Sequence, residues 1–167
     1  MTLGLLMAGC SGPAAVPAEA EAVKQQYGSY TVQRAQAEGY VRDQFCLDAA
    51  SLGEASQRGA MGFHATHPAL LRGPIEANRP QALMFDAGGT ILGVEYEVVA
   101  DAVPQAPRLF GRIFNKLGAH PGVDGEHYAL HYWFVDNPSG PFDDFNPKIA
   151  CPAGSTPPAG AGHSAGH

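Results

Sequence analysis

The segment from His127 to Val135 constrains the fold most strongly, because its residue pattern is typical of a strand inside a β-sheet. It is the most aromatic stretch of the chain, and aromatic residues favour strands. Side chains of a strand point alternately to its two faces, so one face carries Leu130, Tyr132 and Phe134. The opposite face carries His131, Trp133 and Val135. The pattern therefore predicts a sheet in which this segment is a central strand.

Two further segments predict a β-hairpin within the same sheet. Ala82 to Phe85 is a short apolar run, residues 86–89 are typical of a turn, and Thr90 to Val99 has an alternating pattern. In this second strand, the residues predicted to point one way are Leu92, Val94, Tyr96 and Val98. Those predicted to point the other way are Gly93, Glu95 and Glu97. The hairpin thus places the carboxylate of Glu95 in the middle of an otherwise apolar strand.

The remaining segments indicate helices and loops around this sheet. Ala, Glu, Lys and Gln dominate from Ala18 to Glu38, which predicts an N-terminal helix with a break at Gly28 and Ser29. Residues 51–79 are rich in Gly, His and Pro, and we expect a long loop there. Helical spacing predicts a short amphipathic helix from Leu109, Phe110, Ile113, Phe114 and Leu117. The sum is an α+β fold: an antiparallel sheet of about four strands, an N-terminal helix and long loops.

Composition excludes several classes of protein. The 167 residues include 21 glycines and 14 prolines, and only 16% are charged. Together, these values argue against a long coiled coil and against charge-driven disorder. The net charge is −6, with only ten Lys and Arg residues. A nucleic-acid partner is therefore not expected, because phosphate binding requires a basic surface.

The N-terminus resembles a bacterial lipoprotein signal. An apolar opening ends in Ala8, Gly9 and Cys10, and a small, polar run follows. The resemblance implies that Cys10 is the lipid-acceptor residue, that residues 1–17 are signal and tether, and that the protein is exported. The expected location is the cell envelope, periplasmic or on the outer surface. Because no other stretch approaches the ~20 apolar residues of a membrane span, the lipid is the only membrane contact that we expect.

Cys46 and Cys151 form an even pair once Cys10 is assigned to the lipid. Export places them in an oxidising compartment, so we predict a disulfide between them. The alternative is that they contribute to a metal site, but no CxxC spacing supports it. The predicted organisation is a single globular domain over residues 18–151. Residues 152–167, which include His163 and His167, are predicted to be a disordered tail.

Several spaced motifs resemble those of an uncharacterised family of small exported bacterial proteins and lipoproteins. These motifs are Met61-Gly62-Phe63-His64, Gly93-Val94-Glu95-Tyr96, Leu109-Phe110-Gly111 and the pattern LHxWxxxNPxGxFxxxNP over residues 130–147. The resemblance covers roughly residues 35–151. It implies an exported location and a single domain, and it implies no particular chemistry.

A cluster of histidines with one carboxylate is the strongest candidate for chemistry. Imidazole nitrogens with a carboxylate form mononuclear sites for metals such as zinc or copper. We expect His64, Glu95 and His131 to hold one such ion, with His127 and His67 as reserve ligands. On a regular strand His127 and His131 share a face but stand about 13 Å apart, so one ion cannot contact both. The alternative is structural, with each imidazole hydrogen-bonded to the main chain or to Glu95.

Three functions remain open from the sequence alone. The first is an extracytoplasmic lipoprotein that binds a transition metal through the His/Glu cluster. The second is an envelope binding or structural lipoprotein without metal, whose partner is a small molecule or another envelope protein. The third is a metal-dependent enzyme with Glu95 as base, which ranks last because the chain has no GxSxG, GxGxxG or P-loop motif.

Overall fold

A computed structural model describes residues 15–158. The described chain begins with two helices, α1 (Ala18–Tyr27) and α2 (Val32–Ala37). Eight strands follow: β1 (Val41–Asp48), β2 (Ala60–Thr66), β3 (Ala82–Phe85), β4 (Ile91–Val99), β5 (Arg108–Leu109), β6 (Arg112–Ile113), β7 (Asn115–Leu117) and β8 (His127–Trp133). Within this range no helix combines the length and the apolar character needed to cross a bilayer. The mixture of helices and strands agrees with the predicted α+β class.

Six of the strands form one antiparallel sheet in the order β1-β2-β3-β4-β8-β7. The sheet is larger than the four or so strands expected. The predicted hairpin is present as β3 and β4, and the aromatic segment is β8, which lies between β4 and β7. Strands β5 and β6 form a separate two-stranded hairpin.

The additional strands lie where the sequence pattern was misleading. The predicted long loop contains β2, whose residues are buried along its whole length and therefore show no apolar–polar alternation. The helix predicted around residues 109–117 is wrong, since the chain there forms β5, β6 and β7. Phe110 and Gly111 both have positive φ, 52° and 74°, and make the tight turn between β5 and β6. The ring of Phe110 is buried and packs against Tyr96, although this residue is in a turn and not in the predicted helix.

The N-terminal segment forms two helices rather than one, with the break close to its predicted position. Helix α1 ends before Gly28, and Thr31 caps α2 by accepting a hydrogen bond from the backbone N–H of Arg34. Both helices pack on one face of the sheet through the largest core cluster, which includes Tyr27, Tyr30, Val94, Tyr96 and Tyr132.

The opposite face of the sheet is buried as well, and it carries the polar side chains. A β-bulge between Met84 and Phe85 shifts the register of β3 against β4. Because of this shift, Leu92 packs with Met84 and Trp133 on the polar face, whereas the alternation had placed it with Val94. As predicted, Val94 and Tyr96 share a cluster with Leu130 and Tyr132, and Glu95 lies opposite His131.

The predicted disulfide joins Cys46 in β1 to Cys151, across a separation of 105 residues and with 5.6 Å between the Cα atoms. The backbone N–H of Cys46 also donates to the carbonyl of Ser155, 2.8 Å away. The end of the described chain is therefore fixed to the first strand of the sheet by a covalent bond and a hydrogen bond.

Candidate metal centre

Strands β2, β4 and β8 bring His64, Glu95 and His131 together on the polar face of the sheet. Glu95 and His131 are direct cross-strand partners in the β4–β8 pair. His64 lies on β2, on the far side of β3 from Glu95. In β3, the residue opposite Glu95 is Ala82, and the residue opposite His64 is Met84, two positions further along the strand. The three residues predicted as ligands are thus neighbours in space.

The distances within this trio are short and the side chains are fully enclosed. The Nε2 atom of His64 is 3.2 Å from Oε2 of Glu95, and Nε2 of His131 is 3.4 Å from Oε1. Each of the three side chains is at most 1% exposed. One ligand atom from each residue lies within 4.8 Å of the others, which is a separation that one metal ion can span.

The polar atoms of this trio have no hydrogen bonds. Both ring nitrogens of His64 and of His131 and both oxygens of Glu95 are buried without a partner of suitable geometry. Buried polar atoms are nearly always hydrogen-bonded, because an unpaired one costs about 1–3 kcal/mol. The Nε2 atoms of His64 and His131 and the two oxygens of Glu95 face one another, so a single bound cation is able to satisfy these atoms together.

The electrostatics of the trio favour a charged carboxylate. Burial opposes ionisation of Glu95, but the positive charge of His131 and the contact with His64 outweigh burial and hold the pKa of Glu95 below its usual range. Burial alone would lower the pKa of His131, whereas Glu95 and then Asp144 raise it. Glu95 and His131 thus each favour the charged form of the other.

Asp144 supports His131 from the other side of the ring. Its Oδ1 atom is 3.4 Å from Nδ1 of His131, and the Asn115 amide donates to both carboxylate oxygens at 3.1 and 3.0 Å. Burial works against ionisation of Asp144, yet the contact with His131 lowers its pKa. A carboxylate on the second nitrogen of a ligand imidazole fixes the orientation of the ring, as is common at metal sites.

His127, the reserve ligand, lies in a second group of side chains rather than beside His131. This group consists of Glu95, Glu97, His120 and His127, with one ligand atom from each within 4.8 Å of the others. His127 and His131 are four residues apart on β8, and the rise of a regular strand had predicted that one ion cannot contact both. His67, the other reserve, is absent from both groups and packs its ring edge-on against Tyr40.

Sequence reasoning missed Glu97 and His120 as members of a site. The alternation of β4 had already placed Glu97 on the same face as Glu95, and this signal was sufficient to find it. His120 lies in the loop between β7 and β8, and no periodic pattern fixes its position.

Burial favours the uncharged forms of His120, His127 and Glu97. It lowers the pKa of His120 to about 4 and also lowers that of His127, against the opposing attraction of Glu95. Burial, together with repulsion from Glu95, raises the pKa of Glu97 well above its usual value. Neutral imidazoles have a free lone pair and are ready to act as metal ligands.

A pocket of about 270 Å³ connects the surface to this region. His120 of the second group and Asp144, the partner of His131, both line it. Arg58 and Lys116 also contribute to its wall. The pocket is therefore a route by which a small ion or molecule can approach the buried histidines.

Three residues singled out in the sequence lie outside the described range: Cys10 and the tail histidines His163 and His167. The structure therefore bears on the buried cluster and the disulfide and does not test the lipid attachment. Comparison with protein-family models, curated proteins and solved structures finds no match to this chain. Two imidazoles and a carboxylate form a ligand set that leaves a coordination position open for water or another ligand.

Proposed function

We propose that this protein is an extracytoplasmic lipoprotein that binds a transition metal ion, zinc or copper, through His64, Glu95 and His131. The observation that carries the proposal is the set of six buried polar atoms without hydrogen bonds in this trio. A cation coordinated by one nitrogen of each imidazole and by the carboxylate satisfies the atoms that face the centre of the trio.

The separations between the ligand atoms support coordination rather than hydrogen bonding. Two ligand atoms that are each about 2.0–2.1 Å from a tetrahedral zinc ion lie about 3.3–3.4 Å apart. The two His–Glu separations are 3.2 and 3.4 Å. Charge-assisted N–H···O bonds are shorter, about 2.7–2.9 Å. Each imidazole is therefore spaced from one oxygen of the carboxylate as two ligands of a tetrahedral ion are.

The rigidity of the surroundings supports a preformed site. All three ligands lie on strands of one sheet, and the β4–β8 contact is close at Gly93, two residues before Glu95. A Cβ atom at Gly93 would lie 2.4 Å from the carbonyl oxygen of Tyr132. Glycine therefore allows the strands to approach at the level of the site, and ligands on strands are held more precisely than ligands on loops.

The cellular location in this proposal rests on the N-terminus and the cysteines. The resemblance of residues 1–10 to a lipoprotein signal and the family-like motifs both imply export. The Cys46–Cys151 disulfide agrees with an oxidising compartment. In this proposal the lipid on Cys10 is the membrane contact, and the metal-binding body is exposed to the periplasm or to the outer surface.

Metal analysis of a His131→Ala variant tests the proposal. The full chain is stripped of metal, reloaded with Zn²⁺ or Cu²⁺, freed of excess ion and analysed by mass spectrometry. We expect His131→Ala to contain one ion per chain fewer than the wild type, because the trio retains only two ligands. A His67→Ala variant is the matched control, since His67 belongs to neither ligand group, and its metal content should equal that of the wild type. Equal metal content in His131→Ala and the wild type would reject the site.

A further inference from the structure

The second group of side chains has the properties of a ligand set in its own right. Glu97, His120 and His127 surround a point next to Glu95, and their side chains are almost completely buried. Two of these residues lie on neighbouring strands of the sheet, β4 and β8. The third residue, His120, lies in the loop between β7 and β8.

The hydrogen bonds of the two histidines fix which nitrogen is free to bind a metal. The Nδ1 atom of His120 is 3.0 Å from the carbonyl oxygen of Pro121, and Nδ1 of His127 is 3.3 Å from that of Gly125. A carbonyl only accepts hydrogen bonds, so the tautomer with the proton on Nδ1 satisfies both contacts and leaves the lone pair of each neutral ring on Nε2. Histidines that bind metals typically donate their other N–H to a carbonyl in this way.

The two Nε2 atoms are close neighbours. The Nε2 atoms of His120 and His127 are only 3.1 Å apart. With both Nδ1 atoms protonated, neither Nε2 has a proton to donate, so the contact is repulsive when nothing lies between the rings. A cation bound to both nitrogens turns this contact into an attractive arrangement, and 3.1 Å is close to the separation of two ligands of one ion.

Glu97 supplies the negative charge that such an ion needs. Its side chain is completely buried, and neither carboxylate oxygen has a hydrogen-bond partner among residues 15–158. Glu95 is two residues away on the same face of β4, so two carboxylates lie side by side in the interior. Ionising two adjacent buried carboxylates is costly, and a divalent ion between them offsets that cost.

We propose a second metal position, held by Glu97, His120 and His127, with the carboxylate of Glu95 shared between the two ions. The inference rests on the proposed function, because Glu95 is also a ligand of the first ion. A carboxylate shared by two metals is typical of dinuclear centres, in which the ions are about 3.5–4 Å apart. The nitrogen and oxygen donors suit Zn²⁺, Co²⁺ or Cu²⁺.

The second position is the one closer to solvent. His120 lines the pocket of about 270 Å³, whereas His64 and His131 are not part of its wall. An ion at the second position therefore has a path to the surface and to small ligands that enter the pocket. We expect a chelator to remove the second ion before the first.

Metal stoichiometry in matched variants tests this inference separately from the proposed function. The wild-type chain, stripped and reloaded with Zn²⁺, should contain two ions. We expect His127→Ala and Glu97→Gln to contain one ion each, and the retained ion also shows that these variants are folded. One ion in the wild type and one in His127→Ala would overturn the second position and leave the first intact. If His127→Ala removed the only ion while His131→Ala retained it, the proposed function would fail instead.

Electron paramagnetic resonance of the Cu²⁺-loaded chain measures the proximity of the two ions. Two Cu²⁺ ions about 4 Å apart should show a coupled spectrum with a half-field transition, and the spectrum of His127→Ala should be that of an isolated Cu²⁺ ion. Two uncoupled Cu²⁺ signals in the wild type would overturn the shared role of Glu95.

Discussion

Replacing Glu95 with glutamine is expected to remove nearly all bound metal, from two ions per chain to almost none. The amide has the shape of the carboxylate but lacks the negative charge, and a neutral amide is a poor ligand for zinc or copper. Because Glu95 belongs to both ligand groups, the single substitution affects both positions. Metal analysis after reloading measures the loss. Thermal unfolding gives a second readout, since an ion at 1,000 times its Kd stabilises the folded chain by about 4 kcal/mol.

Glu97→Gln is the matched control for this experiment. Glu97 is buried on the same face of the same strand but belongs to only one ligand group. We expect Glu97→Gln to keep one ion and about half of the metal-induced stabilisation, whereas Glu95→Gln should keep neither. Two ions bound to Glu95→Gln with unchanged affinity would show that the carboxylate is not a ligand.

Removing the disulfide is expected to lower the free energy of unfolding of the metal-free protein by about 2–5 kcal/mol. Cys46 and Cys151 close a loop of 105 residues, and the loss of chain entropy in the unfolded state grows with loop length. Urea unfolding of a Cys46→Ser, Cys151→Ser double variant measures the effect.

The reduced wild-type protein is the control for the disulfide experiment, because it has the same thiol side chains without the covalent bond. We expect the reduced protein and the double variant to unfold at similar urea concentrations, both below that of the oxidised protein. A loss of stability under 0.5 kcal/mol in both would contradict the structural role of the disulfide.

Residue alternation was enough to predict that Glu95 and His131 lie on the same face of the sheet. In β4 and β8 a polar residue interrupts an apolar run at Glu95 and at His131, and both strands are bounded by clear turns. Alternation therefore determined which face each side chain occupies, and the two strands are direct neighbours in the sheet. The one orientation that failed, at Leu92, depends on a β-bulge, which is a property of strand pairing and leaves no periodic signal.

The parts that sequence reasoning missed depend on tertiary contacts. Strand β2 is buried on both faces, so its residues show no alternation and its Gly and His content resembled that of a loop. The segment around Phe110 has helical spacing, but the left-handed conformation of Phe110 and Gly111 and the contact of Phe110 with Tyr96 favour a hairpin. The position of His120 follows from the path of a loop, which local sequence does not determine.

Anomalous diffraction from crystals of the full chain grown with Zn²⁺, recorded at the zinc absorption edge, tests the central claim most directly. The account predicts an anomalous peak about 2.0–2.2 Å from a ring nitrogen of His64, a ring nitrogen of His131 and a carboxylate oxygen of Glu95. A map without a peak in this trio, with the imidazoles and the carboxylate hydrogen-bonded to ordered water instead, would contradict it.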